Sequence, residues 1–110
     1  KAVFHAGTAT EPGAIVQLDW ATEHLAVLQR SSTLDIEAGY LSQPQPITFP
    51  TNDGAIAYGF YYPPTNQDYL APDSERPPLL VKSHGGPTAA TSTAFNLKIQ
   101  YWTSRGFAVL

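Results

Sequence analysis

The sequence contains no cysteine and no methionine. The first absence removes disulfide frameworks, thiolate metal sites and cysteine nucleophiles together. The second includes the initiator, and the simplest expectation is a segment excised from a longer chain. Charge is sparse as well. Charged residues make up 14% of the 110 positions and the net charge is −3, which leaves no basic footprint for nucleic acid and no polybasic strip for a membrane surface. No apolar run approaches the roughly 18–20 residues needed to span a bilayer. No charged-then-apolar stretch follows Lys1, so no export is implied and a cytoplasmic location is the expectation. The histidines, His5, His24 and His84, share neither a helical face nor a close spacing, so no metal site is expected and no cofactor is called for. Internal repeats, low-complexity tracts and a G-x-S-x-G nucleophile elbow are also missing.

What is present reads as a folded chain, with 43% hydrophobic residues. Ala14 to Trp20 places Val16, Leu18 and Trp20 on one side and Gln17 and Asp19 on the other, the two-residue period of a half-buried strand. Glu11-Pro12-Gly13 before it is turn chemistry. His24 to Arg30 supplies a second strand, and Val3-Phe4-His5 a third. Three short strands at close spacing resemble a propeller blade or a piece of sandwich. Ser42-Gln43-Pro44-Gln45-Pro46 is polar and proline-punctuated, which suits a connection. A hairpin follows: Ile47-Thr48-Phe49, a turn at Asn52-Asp53-Gly54, then a returning strand in which Ile56, Tyr58 and Phe60 share a face. Pro63-Pro64 ends that strand, and residues 65–78 read as a polar surface loop.

The last third changes character. Leu79-Leu80-Val81 is a continuous apolar run, expected as a strand covered on both faces. It leads into Ser83-His84-Gly85-Gly86-Pro87. A helix is expected from Thr91 or Ser92 to Arg105, capped by Ser92 or Thr93, with Phe95, Ile99 and Trp102 at helical spacing and Gly106 as the left-handed C-terminal residue. Phe107 to Leu110 then reads as another buried strand. Strand, glycine loop, helix and strand make a βαβ unit with parallel strands.

Glycines between a buried strand and a helix let backbone N–H groups approach a ligand with no Cβ in the way. Two uses compete, phosphate cradling and the stabilisation of an oxyanion in acyl transfer. The phosphate reading requires G-x-G-x-x-G or G-x-x-x-x-G-K-[ST], and neither is present. The oxyanion loop of an α/β hydrolase remains.

The resemblance extends beyond the loop. Ile47-Thr48-Phe49, Asp53-Gly54 and Tyr58-Gly59-Phe60-Tyr61-Tyr62-Pro63-Pro64 resemble the opening hairpin of the catalytic domain in the prolyl oligopeptidase family. Pro77 to Val81, His84-Gly85-Gly86-Pro87-Thr88, Trp102, Gly106 and Phe107 to Leu110 are similar to the landmarks that follow. The match is to the acylaminoacyl-peptidase and dipeptidyl-peptidase-like branch and covers about residues 46–110. The resemblance implies an α/β fold: residues 1–35 as the remnant of a last β-propeller blade, 36–45 as a linker, and 46–110 as the N-terminal part of an α/β-hydrolase domain.

It also implies a serine peptidase acting on peptide or acyl-aminoacyl bonds through an acyl-enzyme. The Ser-Asp-His triad would lie after the equivalent of Leu110, so the segment alone is expected to be inactive. Gly86 matches the position whose amide faces the oxyanion, with the second donor coming from the residue after the absent serine. His84 stands where other members carry a hydroxyl-donating tyrosine, a departure from their pattern.

The candidate site is therefore His84, Gly85 and Gly86, with a peptide as substrate of the whole enzyme. Plainer readings stand beside it: His84 as a structural residue hydrogen-bonding its loop, and the glycines as a tight turn only. A carboxylesterase or lipase on the same fold, and a β-rich interaction module with no activity, are the alternatives. With open strand edges, the isolated segment is expected to self-associate or to be held by the rest of its protein.

Overall fold

The computed structural model describes residues 1–110 and holds seven strands and one short α-helix. Small sheets dominate, and no helix is long and apolar enough to cross a membrane. The strands β1 (Ala2–Ala6), β2 (Ala14–Asp19) and β3 (His24–Arg30) form an antiparallel sheet in the order β1-β2-β3. Burial alternates at the start of the central strand. Ala14 and Val16 are buried on its inner face while Ile15 is exposed. Trp20 does not continue that face: it lies in the β2–β3 turn and is 67% exposed. Asp19 Oδ1 closes that turn by accepting from the Ala21 N–H at 3.0 Å. Glu23 takes a left-handed φ of 55° there.

β4 (Gln45–Pro50) and β5 (Ile56–Tyr61) pair antiparallel, with Pro50 opposite Ile56. Prolines at 46 and 50 are tolerated because β4 has only one partner. The connecting loop is five residues, Thr51 to Ala55, and Gly54 supplies the positive φ, 74°, that lets it close. β6 (Leu79–Leu80) and β7 (Ala108–Val109) pair parallel, as expected of a βαβ unit. Tyr62 joins the two pairs. Its N–H donates to Val109 O at 2.8 Å and its carbonyl accepts from the Val109 N–H at 3.0 Å. This single antiparallel bridge sets the two-stranded sheets side by side in the order β4-β5-β7-β6.

The helix, α1 (Leu97–Thr103), starts later than its sequence suggests. Asn96, in an extended conformation, caps it and accepts the Lys98 N–H on its side chain at 3.0 Å. Ser92 Oγ accepts the Ala94 N–H, the bond an N-cap makes, but no helical turn follows it, so Ser92 closes a local turn only. Phe95 lies before the helix, and its N–H donates to Thr8 O at 2.9 Å. The inner face also differs from the apolar spacing. Gln100 and Thr103 are buried, whereas Trp102 is 40% exposed, edge-on to Tyr101 and Phe107. Gly106 has the expected positive φ, 86°.

Ala108 and Val109 are buried, as their run predicts, but Leu79 and Val81 are 52% and 71% exposed. The outer side of β6 has no neighbouring strand within these residues, so the expected two-sided cover is not met.

Candidate functional site

The parallel pairing of β6 and β7 continues past the strands themselves. Leu110 N–H donates to Leu80 O at 2.9 Å, and Lys82 N–H donates to Leu110 O at 2.7 Å. Beyond Lys82 the chain leaves the sheet, and Ser83 to Ser92 runs through open space to the turn before α1. The glycine loop thus lies at the carboxyl end of a parallel strand, the edge at which open α/β sheets take ligands.

Gly86 adopts φ +76°, a left-handed conformation that L side chains rarely hold. A Cβ built on Gly85 or on Gly86 would meet no atom within 4 Å. Packing therefore does not demand glycine at either position. At Gly86 the backbone conformation does, and the loop is bare on its outer side. Gly86 is not sealed in the protein interior.

His84 borders a cavity of about 580 Å³ whose aromatic lining includes Phe49, Tyr58, Phe60, Tyr62 and Phe95. Its imidazole makes no side-chain hydrogen bond with the rest of the chain, so it does not brace the loop. Gly85 and Gly86 lie outside that lining and face solvent. The structure thus brings His84 to an apolar hollow and leaves the two glycines beside it with their backbone uncovered. His5 and His24 lie on β1 and β3 of the first sheet and take no part. Next to the loop, burial raises the Tyr62 phenol above its ordinary value.

The sequence reading misses the side chains that hold this arrangement. Gln100 projects from the inner face of α1 and binds the backbone of Ser42, a fully buried residue. The signal for it is a polar residue set between Ile99 and Thr103 on the side of the helix that turns inward.

No protein-family model matches the chain, and no curated protein does. Solved structures do. A puromycin-hydrolysing peptidase of Mycobacterium tuberculosis is similar over 97% of this chain, with a TM-score of 0.88 and 34% identity. A serine-to-alanine mutant of puromycin hydrolase complexed with PGG is similar over 97%, with a TM-score of 0.84 and 33% identity. A puromycin hydrolase structure follows at 97%, 0.82 and 32%. This chain spans 16% of the length of each of them. Backbone likeness at that level is joined to identity of about one residue in three along the whole chain. The chain belongs to the prolyl oligopeptidase family.

Proposed function

We propose that this chain contributes the oxyanion-hole loop to a serine peptidase that cleaves peptide or acyl-aminoacyl bonds. The observation that carries the reading is Gly86, at φ +76° in an uncovered loop directly after a parallel strand. Attack on a carbonyl places negative charge on its oxygen, and a fixed backbone N–H aimed at that oxygen stabilises the transition state more than the ground state. Glycine serves here because only it holds the left-handed turn cheaply while leaving the amide uncovered. His84, at the mouth of an apolar hollow and free of other partners, is available to a substrate group or to the charge that develops beside it.

The nucleophile, its base and the acid that orients the base are supplied from outside residues 1–110 in this reading, because no G-x-S-x-G elbow occurs within them. The order β4-β5-β7-β6 supports assigning residues 46–110 to the opening part of an α/β-hydrolase sheet. The three-stranded antiparallel sheet of residues 2–30 suits one blade of a propeller preceding it. The similar structures are named for puromycin hydrolysis, which makes puromycin the first substrate to offer the whole protein.

The test is turnover. The 110-residue chain, incubated with a chromogenic aminoacyl ester, is expected to show no hydrolysis sensitive to a serine-directed inhibitor. Inhibitor-sensitive hydrolysis by the chain alone would place a nucleophile within it and refute the reading.

A further inference from the structure

The sequence reads residues 36–45 as a polar connection, yet Ser42 is fully buried and Gln100 is 4% exposed. The Ser42 N–H donates to Gln100 Oε1 at 2.7 Å, and the Ser42 carbonyl accepts from Gln100 Nε2 at 3.0 Å. A side-chain amide therefore pairs with a peptide group in both directions, as a neighbouring strand would. Ser42 Oγ donates to Pro63 O at 2.6 Å.

Further bonds surround this pair. The Tyr40 hydroxyl donates to the Asp68 carboxylate, and Gln67 Nε2 donates to Glu37 Oε2 at 2.6 Å. Thr65 N–H reaches Thr103 O at 3.0 Å, and Asn66 Nδ2 reaches Ser104 O at 2.8 Å. Residues 37–42, the exit from β5 and the end of α1 are thus closed into one polar junction. The preceding stretch is different. Ser32 to Ile36 makes no backbone–backbone hydrogen bond, and only the Leu34 N–H is held, by Ser32 Oγ at 3.0 Å. Between residues 1–36 and the rest of the chain there is a single hydrogen bond, from the Phe95 N–H to Thr8 O.

We infer that Gln100 is a latch. By pairing with both backbone groups of Ser42 it makes residues 37–42 part of the helix-bearing half, so that the boundary with the three-stranded sheet falls at residues 32–36. Gln100 is a positioning residue: it fixes where the connection meets the helix that follows the glycine loop. This inference does not depend on the peptidase chemistry proposed above, and it survives if that chemistry is wrong.

Buried, paired amides exchange their protons only when the local structure opens. Hydrogen exchange on the whole protein that contains this chain therefore reads the latch directly. The Ser42 amide is expected to be protected as well as the Val109 amide, while the amides of Thr33, Asp35 and Ile36 exchange as an unstructured chain does. In Gln100→Met, which keeps length and flexibility but removes both hydrogen bonds, Ser42 is expected to lose protection by about tenfold or more. Tyr62 and Val109 should stay protected. Three results would overturn the inference: Ser42 exchanging as fast as Ile36 in the unmodified chain, Ser42 remaining protected in Gln100→Met, or Gln100→Met exposing Tyr62 and Val109 together with Ser42. The last would make Gln100 a support of the whole fold rather than a latch on one segment.

Discussion

At the scale of single residues, backbone conformation separates positions that sequence type alone leaves equivalent. Gly85 and Gly86 are both exposed with space around them, but only Gly86 has a positive φ. A side chain at Gly86 would push the backbone away from φ +76° and turn the amide. In the whole protein, Gly86→Ala is expected to lower kcat about tenfold to a hundredfold with KM nearly unchanged, the signature of an interaction made only in the transition state. A matching change in KM alone would assign the loop to ground-state binding. Glu23 shows the opposite case, a residue with a Cβ held at φ 55°. Glu23→Gly is expected to gain about 0.5–1 kcal/mol, read as a higher urea midpoint, because the left-handed penalty disappears. Tyr62 carries a pH dependence. Burial raises its folded-state pKa above the ordinary 10.0, so the unfolded chain releases that proton first. Its contribution is complete below pH 10 and is lost as the pH climbs through the folded-state value. Tyr62→Phe is expected to lessen the alkaline loss of stability measured by circular dichroism and to leave the neutral range unchanged. Tyr40, raised chiefly by its hydrogen bond to Asp68, adds to the same alkaline decline and remains in the variant.

At the scale of elements, the legible features were those written into local pattern. Alternation along Ala14 to Asp19, turn chemistry around Gly54 and the strand–glycine–helix–strand order all carry their cause in neighbouring residues. The helix start was not legible, because it is decided at a distance. Ser92 and Asn96 both accept the N–H two residues on, but helical bonds follow only Asn96, and the Phe95 between them is tied to Thr8. Its buried face was hidden for a related reason. Apolar spacing points to Trp102, but the helix turns Gln100 and Thr103 inward to meet Ser42 and Thr65. Of the candidate site, the glycine loop was legible from its residue types, while the hollow beside His84 is lined by β4, β5, β7, α1 and the segment before α1 together and depends on the fold. Asn96→Ala is expected to cost about 1 kcal/mol, because the cap on the Lys98 N–H is lost; Ser92→Ala should cost much less. Equal losses from the two would contradict the later helix start.

At the scale of the molecule, the chain is spread out. Its radius of gyration is 17.2 Å, against about 13 Å expected for a compact domain of this length. Only 8 of 110 residues are buried, and Leu70, Tyr58, Val81 and Trp20 are each two-thirds exposed or more. Burial this thin offsets little of the entropy of ordering the chain. The open sides of β3 and β6 also present unpaired strand edges. The isolated chain is therefore expected to associate with itself, giving a weight-average mass by sedimentation that rises with concentration; a monodisperse 11.9 kDa species would contradict this. The central claim, that these residues bring the oxyanion loop and not the nucleophile, is tested most directly by covalent labelling. Treated with a fluorophosphonate reagent, the gene product that contains this chain is expected to be labelled at a single serine outside residues 1–110, and the 110-residue chain to remain unlabelled. A fluorophosphonate adduct on any serine within residues 1–110 would contradict the account.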